Sequence, residues 1–236
     1  MSSALDGRAR VAHSGRVGLS ELVERMAREA DASAVAQARV EFEARCGPFA
    51  AGEAWYEERI SAFFDFALAS FEGGTLARAF AARPDVSSED RTLALAIARA
   101  ERSLFRVERL GDDLSCESLF GARYRIARQD ARFRGGERFD GRIVSTEGGL
   151  EVMPGAVFHP DEAHEAIDQV LAEVSSKSPH ARTQHDLADA LLRMKMRFDR
   201  FTSMSARHVY RYDAIDRTEI LAASWARPEG RAARPR

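Results

Sequence analysis

Cysteine, lysine and long apolar runs are all scarce in this sequence, and each shortage closes off a class of explanation. Cys46 and Cys116 are the only thiols in 236 residues, too few for a disulfide framework or a four-cysteine zinc site. No apolar run approaches the roughly 18 residues that a bilayer span requires, so no membrane span is expected. Asp6, Arg8, Arg10 and His13 interrupt the first residues, where a secretory leader would need an apolar core; a cytoplasmic protein is the expectation. Also missing are a GxSxG elbow, a GxGxxG or GxxxxGK[ST] phosphate loop and an HExxH pair. No complete catalytic motif is present, and no cofactor is implied.

Lysine occurs only at Lys177 and Lys195, although Lys and Arg together number 35. Such an arginine excess, accompanied by alanine throughout, reads as the codon usage of a GC-rich bacterial genome before it reads as a nucleic-acid signature. The formal charge of −2 is unevenly spread. Residues 1–17 set Arg8, Arg10 and Arg16 against Asp6, and residues 227–236 set four arginines against Glu229. An acidic body therefore lies between basic ends, and it offers no extended surface for phosphates. Hydrophobic residues at 45% against 31% charged exclude wholesale disorder. The length suits one large domain or two small ones.

Periodicity divides the chain into an α+β protein: an N-terminal helical layer, a central small antiparallel β-sheet or barrel, and C-terminal helices. Residues 1–17 read as a flexible lead and 18–103 as the helical region. Leu19, Leu22, Val23 and Met26 recur at helical spacing, with Ser20 as the candidate N-cap. The pattern weakens through Val35, Val40 and Phe42 and stops at Cys46-Gly47-Pro48. The strongest helix runs over 53–71, where Tyr56, Ile60, Phe63, Phe64, Ala67, Leu68 and Phe71 form one wide stripe. Phe63 and Phe64 are both expected in the core. Gly73-Gly74 ends this helix, and a short one is expected over 75–82. Ser87-Ser-Glu-Asp90 resembles a capping box before Leu93, Ala94 and Ile97.

The period changes at Leu104. From 104 to 158 the segments are short, aromatic or β-branched, and separated by glycines, which predicts strands over 104–110, 114–119, 122–128, 138–146 and 150–152. Five short strands with tight links point to a curled sheet or barrel, in which closure removes the unpaired edges. Tyr124 and Ile126 should face inward and Arg123 and Arg125 outward, with Arg142 on the outer face as well. Residues 159–205 carry C-terminal helices, the first beginning at Pro160 and the second spanning 182–201 after the Ser178-Pro179 break. Residues 206–226 have no assignable period, and 227–236 read as a disordered basic tail.

The stretch from 53 to 172 resembles a group of uncharacterised bacterial proteins with a helical half followed by a small β-unit. The resemblance is carried by Trp55-Tyr-Glu-Glu and Phe63-Phe-Asp-Phe66, then Leu104-Phe-Arg-Val107 and Ser118-Leu-Phe-Gly121. It continues through Tyr124-Arg-Ile126 and from Gly136 to Val144 and Phe158-His-Pro160. Some of these proteins add a cysteine-rich zinc tail like that of the bacterial secretion ATPase. That tail is not found here, so the resemblance implies a fold, and neither a zinc site nor an activity.

Several groups of residues could carry chemistry. His159, Asp161, Glu162, His164 and Glu165 are the densest run of metal-ligand types, and Asp161, His164 and Glu165 share a helical face. Their spacing matches no metal signature, and acids in a first helical turn are expected from the helix dipole alone. His180, His185 and Asp186 lie at another helix start and could join them in a composite site. Cys116 sits in a strand where a small buried residue is usual. Asp65, between Phe64 and Phe66, needs an arginine partner or a cap if it is buried. Arg193, Arg197 and Arg200 form a basic stripe on the last helix, and Arg123, Arg125 and Arg142 a second patch on the β-unit.

The expectation from these readings is a non-enzymatic protein-interaction module, an adaptor or regulator of the bacterial cytoplasm. It would bind another protein through the six arginines, with self-association into a homo-oligomer left open. The first alternative is a metal-dependent enzyme using His159, Asp161, His164 and Glu165. The second is nucleic-acid binding by the small β-barrel.

Overall fold

A computed structural model describes residues 18–53, 55–111, 113–119, 121–127, 132–177, 184–201 and 203–215. The lead over 1–17, the tail over 227–236, His180 and the Ser178-Pro179 break lie outside the described residues.

Five helices precede the sheet: α1 (Leu19–Glu29), α2 (Ala32–Cys46), α3 (Tyr56–Ala69), α4 (Thr75–Ala81) and α5 (Ser88–Ile97). Helix α1 begins two residues earlier than the Ser20 cap predicted, with Gly18 in the capping position. The weakened pattern after residue 30 proves to be a separate helix, because Asp31 caps α2 by accepting the Ala34 N–H at 2.9 Å. Ser87 caps α5 in the same way, as the capping-box spacing predicted. Gly74 takes a left-handed φ of 80°, and a β-carbon there would lie 2.9 Å from the Ala98 carbonyl oxygen. Glycine is needed at that turn for both conformation and clearance.

The sheet has six antiparallel strands: β1 (Arg102–Leu110), β2 (Asp113–Ser118), β3 (Arg123–Ala127), β4 (Arg138–Thr146), β5 (Gly149–Val152) and β6 (Val157–His159). The order is β3-β2-β1-β4-β5, with β6 pairing the first half of β4. Strand β6 is too short for a sequence period to reveal it. The two ends of the order, β3 and β5, come within contact of one another, so the sheet curls toward closure. Its inside holds an aromatic ladder: Phe105 opposes Phe139, and Phe139 opposes Phe158. The Phe105 and Phe139 rings stack at 4.9 Å. Helices α6 (His164–Lys177), α7 (Gln184–Arg200) and α8 (Ala206–Val209) follow the sheet.

Three apolar clusters hold these parts together. One fills the helical layer around Phe42, Phe49, Phe63 and Phe66 and reaches Val144 and Val157 of the sheet and Met153 of the β5–β6 turn. A second joins α6, α7 and α8 to Leu104, and the third lies inside the sheet. The sheet is thus covered by helices from both halves of the chain, and the first part of β4 is buried on both of its faces. Among the described residues, no helix is long and apolar enough to cross a membrane.

Candidate functional site

Strand β4 decides the fate of the predicted arginine patch. Phe139 lies on the inner face, so Arg138, Asp140 and Arg142 point the other way. That outer side is covered by helices, and all three charges are buried. The assignment of Arg142 to an exposed face is therefore corrected. Its guanidinium donates to the Ala100 carbonyl at 2.6 Å and to the Ser70 hydroxyl, fastening the ends of α5 and α3 to the sheet. Arg138 pairs with Asp168 of α6 at 3.1 Å. Arg102 grips Asp140 through two nitrogens, one at 2.8 Å, and reaches Asp189 of α7 with a third. Asp189 also faces Arg45 at 3.8 Å and accepts from the Cys46 thiol at 3.7 Å.

The other arginines divide differently. Arg123 and Arg125 are exposed as predicted, paired with Glu117 and Asp113 across the β2–β3 hairpin. On α7 the basic stripe is half-buried instead of fully solvated. Arg193 donates to the Arg45 carbonyl, and Arg200 to the Pro48 carbonyl at 2.8 Å with Glu53 at 3.2 Å. These contacts tie α7 to the end of α2, which limits what Arg193 and Arg200 can offer a partner.

The predicted metal-ligand run is pulled apart. His159 turns into the core, its Nδ1 3.0 Å from the Tyr210 hydroxyl. Burial, with help from Lys195 and Arg59, pushes its pKa down to about 3, so the ring is neutral. Asp161 is exposed and lies 3.8 Å from His164, while Glu165 pairs with Arg207 at 2.7 Å. The three residues predicted to share one helical face straddle a 3-10 turn over Asp161–Ala163 and the start of α6. Among the described residues, no group of three His, Cys, Asp or Glu side chains is placed to hold a metal ion. His185 and Asp186 are exposed at the start of α7.

Beneath β4 lies a cavity of about 20 Å3, lined by Asp65, Arg102, Asp140, Arg142 and Gly155 among others. It has room for a single water and no larger ligand. Asp65 Oδ2 accepts the Gly155 N–H at 3.1 Å, while the buried Oδ1 has no hydrogen-bond partner among the described residues. Burial lifts the Asp65 pKa to about 7 against the pull of Arg142 and the Gly155 amide. Burial likewise raises both thiols, Cys46 and Cys116, to about 12, which leaves them protonated and inert as nucleophiles.

Sequence reasoning missed an open concavity. A groove of about 360 Å3 runs between α1 and α3, lined by Ser20, Val23, Glu24, Ala27, Arg28, Ser61, Phe64 and Pro154. Its α1 residues recur at intervals of three and four, so one helical face forms a whole wall. Phe63 is buried as predicted, but Phe64 is half-buried and turns its ring to the groove.

No family model, curated protein or solved structure matches the chain.

Every strongly shifted acid, base or thiol named above is enclosed, whereas the groove is open. The groove lies within the volume range of ordinary ligand sites. Its apolar floor (Val23, Ala27, Phe64, Pro154) and its polar rim (Ser20, Glu24, Arg28, Ser61) suit burial of an apolar side chain better than bond-breaking chemistry. A scan of hydropathy would not find it, because each of its residues belongs to an otherwise regular amphipathic helix or turn.

Proposed function

We propose that the chain is a non-enzymatic protein-interaction module, an adaptor or regulator, that receives an amphipathic helix of a partner protein in the α1–α3 groove. The observation that carries this reading is the half-exposed Phe64 ring on the floor of an open, largely apolar groove. From Ser20 to Arg28 the α1 wall extends about 12 Å at 1.5 Å per residue, enough for two turns of a docked helix. Such a guest presents apolar anchors at i, i+3 or i+4 and i+7. Glu24 and Arg28 on the rim make no ion pair among the described residues, so a complementary guest carries a basic residue toward Glu24 and an acidic one toward Arg28. Arg123, Arg125 and Arg197 remain as peripheral steering charges.

A photo-crosslinking residue at Ser20 tests the reading in cells that make the protein. The expected result is a one-to-one adduct whose crosslinked segment, read by mass spectrometry, is an amphipathic helix. Phe64→Arg should reduce the adduct at least about tenfold, since desolvated anchor contacts contribute 2 kcal/mol or more. The circular-dichroism spectrum should remain that of the wild type. An adduct indifferent to Phe64→Arg but lost on combined Arg123→Glu, Arg125→Glu and Arg197→Glu reversal would move the docking site to the arginine surfaces. Stoichiometric metal lost on His164→Ala, with no helical adduct, would overturn the adaptor reading in favour of a metalloenzyme.

A further inference from the structure

The Pro154 wall of the groove is fastened at Gly155 by a buried carboxylate, and Arg132 adds a long contact at 3.4 Å to the Pro154 carbonyl. Asp65 follows the groove residue Phe64 on α3 but points away from the groove, where it accepts the N–H of Gly155, the residue after Pro154. At Gly155 the turn between β5 and β6 lies against the backbone of α3. A β-carbon there would collide with the Ser61 carbonyl oxygen and lie 2.5 Å from Asp65 Cγ. Two groove residues, Ser61 and Pro154, therefore belong to the same contact that Asp65 closes.

The charged surroundings of Asp65 come from several elements. Strand β1 contributes Arg102, β4 contributes Asp140 and Arg142, and the connection before β4 contributes Arg132. Helices α2 and α7 present Phe42 and Leu192 to the same cavity, and the β5–β6 turn presents only backbone. Among the described residues no guanidinium hydrogen-bonds Asp65: Arg142 donates to Ala100 and Ser70, the bonds from Arg102 reach Asp140 and Asp189, and Arg132 donates to the Pro154 and Val152 carbonyls. The backbone amide is thus the hydrogen bond that changes in strength when Asp65 gains or loses its proton.

The geometry points to a proton-operated latch: ionised Asp65 grips the Gly155 amide and holds the Pro154 wall, while protonated Asp65 slackens it, so docking in the groove responds to pH. The inference rests on the groove reading above, whose regulation it supplies. A hydrogen bond to a carboxylate is roughly twice as strong as one to a neutral acceptor. With Asp65 titrating at about 7, the proton is exchanged close to neutrality. The cavity of about 20 Å3 that Asp65 lines gives its carboxyl group space to turn when it is protonated.

Hydrogen exchange at the Gly155 amide, corrected for the intrinsic pH dependence of exchange, reads the latch without any partner. Protection should fall about tenfold from pH 8 to pH 5.5 in the wild-type protein and remain flat in Asp65→Asn. Should that variant not fold, carboxyl carbon shifts of Asp65 in the wild-type protein give the midpoint directly. A midpoint below pH 5, or protection independent of pH in the wild-type chain, overturns the latch. The Ser20 crosslink separates the two ideas. A crosslink present at every pH with unchanging yield keeps the groove and rejects the latch. A titrating amide without any helical adduct keeps the latch and rejects the groove as a docking site.

Discussion

Replacing Gly155 with alanine probes the closest approach between helix and sheet. The added β-carbon would meet the Ser61 carbonyl oxygen and lie 2.5 Å from Asp65 Cγ, and the first of these is helix backbone that cannot swing aside. Forcing a methyl group into a packed core costs about 1–3 kcal/mol. Moving the turn also weakens the hydrogen bond from the Gly155 amide to Asp65, and a buried bond to a charged group contributes about 1.5–3 kcal/mol. The combined loss is about 3–5 kcal/mol, because partial relaxation keeps the two costs from adding in full. Guanidinium titration with a fixed m-value is the primary assay. Calorimetry should show the midpoint lowered by about 6–20 °C, at about 2–4 °C per kcal/mol for a chain of this size. Gly148→Ala is the control, since its nearest neighbour is Thr146 Oγ1 at 3.6 Å; it should change stability by less than about 0.5 kcal/mol. A loss below about 1 kcal/mol for Gly155→Ala would refute the close-approach argument.

Phe63→Ala should cost about 3–5 kcal/mol in the same titration, since Phe63 is buried among Phe42, Phe49 and Phe64. Phe64→Ala should cost clearly less, and equal losses would contradict the exposure of Phe64 in the groove. Two buried groups should give opposite pH slopes. Asp65, raised from 3.8 to about 7, makes its folded form bind protons more tightly, so its contribution falls as pH rises from about 4 to 7. His159, lowered from 6.5 to about 3, makes the unfolded chain bind protons more tightly, so its contribution falls as pH drops below 6.5. Between pH 4 and 6.5 the two largely cancel. Asp65→Asn should therefore uncover acid sensitivity, and His159→Gln should give stability that rises toward pH 4. Identical pH profiles for wild type and both variants would exclude these titrations.

The α+β arrangement was legible because period and composition change together at the start of β1. Helices α3 and α5 and strand β4 were legible for the same reason: stripes, caps and glycine pairs are local signals. The outer face of β4 was not. In Arg138-Phe-Asp-Gly-Arg142 the alternation of charged and other residues reads as a strand wet on one side. A covered face filled with matched ion pairs has the same pattern, and only the partners, Asp168, Arg102, Ser70 and Ala100, distinguish the two cases. Those partners lie far from β4 in sequence or carry no visible signal. The groove was hidden for a related reason, since Ser20, Ser61 and Pro154 meet only through tertiary packing. The dipole explanation weighed for Asp161 and Glu162 fits their place in the first turn after Pro160.

The charged outer face of β4 also bears on what happens when the molecule opens in part. Most helix–sheet seams are apolar, and a sheet that breathes away from its helices then exposes a sticky surface that invites aggregation. Here a loosened helix would uncover Arg138, Asp140 and Arg142, which water can solvate at once. Partial opening would expose these charges beside Leu104, Val144 and Val157, a mixed surface instead of a purely apolar one, and the pairing of Arg102, Asp140 and Asp189 would guide re-docking. Such a seam gives up some cohesive energy for reversibility.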